Sequence, residues 1–255
     1  MDNQPYLSVI IPAYKEGERI ERTLREIEKY FNDVDYDWEA IVIVDGSHDH
    51  TLKIAYTYAG RMSNLRVIEN KENRGKGYVV RQGLLEANGK IRLFMDADGS
   101  TSIDHLDAFL PEFKNGHDVV IGSRNIEGAF IQVHQAKYKE MMGDAGNWMI
   151  RIVLGLWSFP DTQCGFKMMT DKATEAVVSR MVIDRFGFDY ELIKLSKDLG
   201  FIVKQLPVRW LNEEGSTVTL TGPNGYLQVF IDLLKTKWRL MTGKYNLKSA
   251  PNENG

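Results

Sequence analysis

Short runs of aliphatic and β-branched residues alternate with amphipathic stretches along the first half of the chain. The runs are LSVIIPAY, EAIVIVDG, LRVIENKE and KIRLFMDADG, and helical spacing between them predicts helices over Glu18 to Phe31, Thr51 to Arg61 and Gly77 to Ala87. Strands that are apolar throughout, rather than alternating, belong in a parallel sheet covered on both faces. The pattern predicts an α/β fold: a Rossmann-like, mostly parallel sheet with helices on both faces. After HDVVIGSRN it changes to a polar-aromatic stretch, two helices around Gln132 to Leu156 and a second β-like segment, FIVKQLPVRW. No Pro/Gly/Ser-rich linker or internal repeat divides the chain, so a single domain is expected over residues 1–247, with a frayed tail at 248–255.

In open sheets of this kind ligands sit beyond the carboxyl ends of the strands. Four predicted strands end in polar residues: Pro12-Ala13-Tyr14-Lys15-Glu16, Asp45-Gly46-Ser47-His48-Asp49, Glu69 to Lys76, and Asp96-Ala97-Asp98-Gly99. All four are expected to face one crevice. In the last, two carboxylates separated by one residue project to the same side, and the glycine lets the backbone turn away. Hard oxygen ligands of this kind suit Mg²⁺ or Mn²⁺ shared with a diphosphate, because such ions keep positions open for substrate oxygens.

Composition narrows the field. Of 255 residues, 43% are hydrophobic and 26% charged, which is ordinary for a globular domain, and the formal net charge of -3 gives no general attraction for nucleic acid. Cys164 is the only cysteine, so intramolecular disulfides and zinc sites built on paired cysteines are excluded, and a reducing, cytoplasmic location is expected. The first residues do not read as a signal peptide. The longest apolar stretch, Trp148 to Phe159, contains Arg151 and has about half the ~20 residues a membrane span needs.

The order VIIPAYKEGERI, VDGSHDHT, NRGKGYVVRQGL and FMDADGS resembles the family 2 inverting glycosyltransferases of GT-A fold. Further on, Asp161-Thr162-Gln163-Cys164-Gly165-Phe166-Lys167, Arg185-Phe186-Gly187-Phe188-Asp189-Tyr190-Glu191-Leu192, and Pro207-Val208-Arg209-Trp210 with Gly215-Ser216 are similar to the dolichyl-phosphate glucosyltransferase and dolichol-phosphate mannose synthase branch. The resemblance runs over residues 6–220 and implies a nucleotide-sugar-binding half at 6–125 and an acceptor half at 126–220. One departure stands out: family members commonly have two aspartates before Gly-Ser, whereas Val44 takes the first place here and Asp45 remains, still able to accept a hydrogen bond from a nucleobase N–H.

The resemblance implies that Pro12, Ala13, Tyr14, Glu16, Asp45, Gly46 and Ser47 hold the nucleoside, that Lys76 lies close to the donor, and that Asp96, Ala97 and Asp98 form the ribose and metal turn, with Asp98 the principal ligand. It implies hexose transfer from a UDP-glucose or GDP-mannose type donor by a single inverting displacement. Leaving-group charge on the diphosphate is the main demand, which a divalent cation and Arg or Lys donors meet. Arg124 can pair with a phosphate oxygen. A hydroxyl acceptor requires a general base, for which Asp161 or Asp189 is the candidate by position. A phosphate acceptor is already an anion, and Arg124, Lys167 and Arg209 then matter more; these three cations favour the phosphate.

A polyprenyl phosphate lives at a bilayer. The stretch from Tyr226, within a C-terminal amphipathic region at 221–247, repeats apolar residues at Phe230, Leu233, Leu234, Trp238 and Met241. It carries Lys235, Lys237, Arg239, Lys244 and Lys248 against Asp232 alone. Basic, aromatic, amphipathic helices bind anionic interfaces, so peripheral contact with the cytoplasmic membrane face is expected. Competing readings are a soluble or polysaccharide hydroxyl acceptor and a non-catalytic sugar-nucleotide-binding subunit. The G-x-G-x-x-G of a nicotinamide enzyme, the phosphate loop G-x-x-x-x-G-K-[ST] and the zinc-hydrolase H-E-x-x-H are absent from the sequence.

Overall fold

The computed structural model describes residues 4–132, 137–211 and 223–247. Its core is a sheet of seven strands in the order β3-β2-β1-β4-β7-β5-β8: β1 (Leu7–Ala13), β2 (Trp38–Asp45), β3 (Leu65–Asn70), β4 (Ile91–Met95), β5 (Val119–Ser123), β7 (Phe166–Thr170) and β8 (Val203–Pro207). β3, β2, β1 and β4 are mutually parallel, as expected; β7 runs antiparallel between β4 and β5. Two short strands, β6 (Phe130–Ile131) and β9 (Arg209–Trp210), pair apart from the main sheet.

Alternation along each strand sends successive side chains to opposite faces, and both faces are apolar. Val9, Ile11, Val42 and Val44 face one layer with α1 (Ile20–Phe31), α2 (Thr51–Ala59) and α4 (Leu106–Lys114). Ile10, Ile41, Ile43 and Phe94 face the other, made by α3 (Lys76–Glu86), α5 (Lys137–Leu154), α6 (Asp171–Val178), α7 (Phe188–Asp198) and α8 (Pro223–Met241). Helix α1 buries Ile20, Thr23, Leu24, Ile27 and Phe31, a single stripe at helical spacing.

The chain runs β1, β2, β3 outward in one direction and then returns to place β4 on the other side of β1. The carboxyl ends of β1 and β4 thus flank the switch point where such sheets bind ligands.

Two sequence expectations change. The two helices expected around Gln132 to Leu156 are one, α5, within the described residues. The segment FIVKQLPVRW is divided: β8 closes the main sheet and β9 leaves it to pair with β6. Asp189 and Glu191 lie in the first turn of α7. Gly215, Ser216, Lys248 and the tail at 248–255 lie outside the described residues.

Candidate active site

The four polar strand ends meet at one edge of the sheet, and two of their loops are knitted together. The amide of Lys15, a residue at φ 55°, donates to Ser47 Oγ (2.8 Å), that of Glu16 to Thr51 Oγ1 (2.9 Å), and that of Gly17 to Asp49 Oδ2 (3.0 Å). Asp45 turns away from the crevice mouth: its carboxylate accepts the amides of Arg74 (3.0 and 3.1 Å) and Gly75 (2.9 Å). Those contacts use most of its lone pairs, so the geometry gives Asp45 the shaping of the Arg74–Lys76 loop rather than the free acceptor expected for a nucleobase. Gly75 has φ 103°, and a Cβ there would lie 2.4 Å from the Asp184 carbonyl. Val44, in the place of the missing aspartate, packs in the apolar layer beside Ala13.

Helix α1 fixes the Asp96-Ala97-Asp98 turn from below. Thr23 Oγ1 donates to the Ala97 carbonyl (2.8 Å) and Arg22 Nη2 to that of Asp98 (2.9 Å), while Asp98 Oδ1 accepts the Ser100 amide (2.9 Å). Lys76 Nζ lies 2.5 Å from Asp96 Oδ1. Gly165, just before β7, is held against the same carboxylate: the Asp96 amide donates to its carbonyl (3.1 Å), and a Cβ at 165 would fall 1.9 Å from Asp96 Oδ2. Burial, and then the charge of Asp96, raise the Asp98 carboxyl. Burial raises Glu16 to about 7 against the pull of Arg19, with Asp98 and Asp96 adding to the rise.

These shifts bear on the expected metal. Among the described residues no cluster of three or more His, Cys, Asp or Glu has metal-holding geometry. Mg²⁺ and Mn²⁺ need no such cage when substrate phosphates supply the remaining oxygens. Two carboxylates at one turn, Asp98 raised by burial and by the charge of Asp96, with Lys76 paired to Asp96 and a glycine leaving room, fit a divalent cation.

The structure pairs each of the three cations Arg124, Lys167 and Arg209 with an acid. Asp161 is 1% exposed, and it accepts the Arg124 amide (2.9 Å), Arg124 Nε (2.7 Å), Arg124 Nη2 (2.9 Å) and the Gln163 amide (3.1 Å). Burial would raise this carboxyl, yet Arg124 and the amides hold it below its ordinary value. Asp161 is therefore a clamp on Arg124, and the geometry offers no lone pair for an acceptor's proton. Lys167, opposite Phe94 in the sheet, is equally buried, turned inward onto Asp189 and the Cys164 carbonyl (2.5 Å). Burial raises the Asp189 carboxyl against the opposing pull of Lys167 and Lys76. Arg209 projects from β9 toward solvent and pairs with Asp104, and the neighbouring Trp210 ring lies 5.3 Å from the Arg124 guanidinium. Asp96 links the two sides: its charge is felt by Lys76, Asp98, Arg124 and Asp189 alike.

Several of these residues escaped the sequence reading. Thr23 carried a weak signal, a polar residue within an apolar stripe, whereas Arg22 carried none and Trp210, like Gly165, was visible only inside a motif, with no role attached. Gly165 was legible only as part of a motif; its function, clearance for Asp96, depends on a strand not expected there.

Residues 8–178 match the family model described as Glycosyl transferase family 2. A dolichyl-phosphate beta-glucosyltransferase of Trichomonas vaginalis is 32% identical over 242 residues, covering 91% of this chain and 73% of that protein. The Homo sapiens dolichyl-phosphate beta-glucosyltransferase is 30% identical, covering 97% and 80%. Among solved structures, the Mycobacterium tuberculosis glucosyl-3-phosphoglycerate synthase in complex with phosphoglyceric acid superposes with a TM-score of 0.70 at 20% identity, covering 92% of this chain and 80% of that one. The same protein in complex with Mn²⁺, uridine-diphosphate and phosphoglyceric acid gives 0.65 at 19% identity, covering 91% and 78%. This likeness shows a shared GT-A fold. The family match runs from the first strand through α6, taking in β1 to β7, and the chain belongs to glycosyl transferase family 2.

Proposed function

We propose that this chain transfers a hexose from a nucleotide diphosphate sugar, UDP-glucose foremost, to the phosphate of a polyprenyl or dolichyl phosphate, with inversion at the anomeric carbon. An acceptor phosphate oxygen forms the new bond to that carbon as the bond to the donor diphosphate breaks, and the nucleoside diphosphate leaves with the electron pair. The observation that carries the reading is the Asp161–Arg124 pair, with Arg209 displayed nearby from β9: it organises cations for an anionic acceptor and leaves Asp161 no capacity as a base. Relatives named for dolichyl-phosphate glucosylation point the same way. A hydroxyl acceptor would need a free base, and Asp189 is engaged by Lys167.

On this reading the donor lies over the carboxyl ends of β1, β2 and β4, with Tyr14 at the crevice mouth and the Asp45-anchored loop presenting Lys76 to the diphosphate. Asp96 and Asp98 would hold Mg²⁺ or Mn²⁺, which as a Lewis acid stabilises charge on the leaving group. Lys76 adds a second positive charge there, Asp161 holds the Arg124 fork in a fixed plane, and the buried Lys167–Asp189 pair keeps the start of α7 against β7.

The acceptor reading includes a membrane surface. Among the described residues no helix is long and apolar enough to cross a bilayer. Helix α8 turns Leu233 inward, while Leu227, Phe230, Ile231, Leu234, Trp238 and Met241 form an exposed apolar stripe flanked by Lys235, Lys237 and Lys244. Trp148 and Ile152 of α5, and Trp157 just beyond it, are exposed as well. The stripe would lie in an anionic interface with its lysines at the headgroups.

The test is incubation with labelled UDP-glucose, GDP-mannose and related donors, Mn²⁺ and a short polyprenyl phosphate. Label extracted into organic solvent supports the proposal; label only in water-soluble product, or none transferred to any acceptor, sinks it. Flotation with anionic vesicles tests the surface, where full recovery of the protein in the unbound fraction at low salt would remove it.

A further inference from the structure

His105 ends the 3₁₀ turn Ile103–His105 that follows the Asp96–Asp98 loop, and its ring is buried between Phe109 and Phe166, with centroids at 6.4 and 5.8 Å. Its two nitrogens have different partners. Nδ1 lies 2.9 Å from the Ser102 carbonyl, which can only accept, so Nδ1 carries the proton. Nε2 is then a lone pair, and the backbone amide of Arg209 donates to it at 2.9 Å. A strand amide satisfied by an imidazole is unusual, since most strand amides find carbonyls. Around it the rest of the segment is pinned conventionally: the Val208 amide donates to the Ser123 carbonyl (3.2 Å), the Leu211 amide to the Ser100 carbonyl (2.9 Å), and β6 occupies the other edge. Asp104, the residue before His105, holds the Arg209 guanidinium.

We infer that His105 is a positioning residue for the acceptor's anionic group: its neutral, Nδ1-protonated ring sets β9, which holds the Trp210 ring against Arg124 and sends the Arg209 guanidinium out to Asp104 and solvent. The inference rests on the reading of Arg209 as a grip on the acceptor phosphate. It goes beyond that reading by making one loop serve both substrates, since the segment from Asp96 to His105 begins with the metal and diphosphate carboxylates and ends by fixing the acceptor arm. A ring whose only role was to fill the space between Phe109 and Phe166 would not need a lone pair on β9. Losing that lone pair leaves a strand amide without a partner, which drives local rearrangement of β9 rather than of the core.

Two substitutions separate these roles. His105→Phe keeps an aromatic ring between Phe109 and Phe166 but has no acceptor; His105→Gln can place its Oε1 where Nε2 lies. With a short polyprenyl phosphate as acceptor and a fixed UDP-sugar donor, His105→Phe is expected to raise the acceptor KM about 10-fold or more with donor KM within twofold. His105→Gln is expected to restore most of it. Nitrogen-15 spectra of the wild-type protein should show the Nδ1-protonated tautomer and a coupling across the hydrogen bond from the Arg209 amide to His105 Nε2. Arg209→Ala serves as the control for the underlying reading. If it leaves the acceptor KM unchanged, the grip assigned to Arg209 is wrong. If it raises the acceptor KM while His105→Phe does not, or shifts donor and acceptor KM equally in His105→Phe, or if no trans-hydrogen-bond coupling is found, the positioning role is overturned.

Discussion

Replacing Asp161 by Asn decides between a clamp and a base, because the structure gives the two roles different signatures. One carboxylate oxygen accepts the Arg124 amide and Nε, and the other accepts Arg124 Nη2 and the Gln163 amide. Asparagine keeps one oxygen and turns an NH₂ toward the other pair, so whichever way it is oriented two donors face a donor. Leaving a buried donor unmade costs about 1–3 kcal/mol each. Arg124 retains 26% side-chain exposure, so water can serve Nη2, and the expected loss of stability is about 2–3 kcal/mol. With its fork unfixed, Arg124 should lose one charge-assisted contact with an acceptor phosphate, raising acceptor KM about 10- to 100-fold at ~1.4 kcal/mol per decade. Donor KM should stay within about twofold. Urea unfolding and initial rates with each substrate varied in turn measure all three quantities. A kcat lower by three orders of magnitude, with acceptor KM and unfolding free energy unchanged, would refute the clamp and restore Asp161 as the proton acceptor.

Three further outcomes follow from the donor side. Gly165→Ala forces a Cβ into the space of Asp96 Oδ2 and is expected to displace that carboxylate, weakening metal-dependent donor binding about 10-fold or more in titration calorimetry while the far-ultraviolet spectrum is preserved. Asp98→Ala should abolish stimulation of turnover by Mn²⁺ or Mg²⁺; full retention would show that the ligand lies elsewhere. Glu16 is raised from 4.5 to about 7, so the folded state holds its proton more tightly than the unfolded chain. Its contribution is fully present below pH 4.5 and is lost as pH rises through about 7, a decline on the order of 3 kcal/mol. Urea unfolding across that range should show the slope in the wild type and a flatter one in Glu16→Gln.

The parallel strands were legible because both of their faces are buried, which leaves uninterrupted apolar runs that only a covered parallel sheet requires. β7 was not, although it lies near the middle of the sheet. Its five residues carry Lys167 at the second position, and a lysine inside a buried strand reads as loop until Asp189, 22 residues later, is known to meet it. Helix α5 read as two helices because Gly143 and Gly146 interrupt it; each weakens a helix by ~1 kcal/mol, which packing of Ile150 and Leu154 against the core offsets. At the site, residue types and the crevice they share were readable, since strand ends at a switch point have a fixed edge. What sequence could not reveal is which carboxylates are free. Asp45 and Asp161 looked like ligand and base, and both are occupied by amides and a guanidinium from other segments.

That occupancy has a physical logic. On the proposed reading a donor diphosphate and an acceptor phosphate repel one another, so a cleft between them needs cations; yet Lys76, Arg124, Lys167 and Arg209 without partners would repel each other, most strongly where the space is partly dry and Coulomb energies far exceed those in water. Each is matched with one acid: Asp96, Asp161, Asp189 and Asp104. The pairs differ in exposure. Lys167–Asp189 is sealed, and Asp161 is sealed beneath an Arg124 that still reaches the cleft, so these two fix geometry and have no reason to separate when substrate arrives. Lys76–Asp96 is partly open and Arg209–Asp104 stands in solvent, so their acids can be exchanged for a substrate phosphate at little desolvation cost. On the proposed reading, the gradient from sealed to open pairs sorts scaffold from grip, with Lys76 the exchangeable cation for the donor and Arg209 for the acceptor.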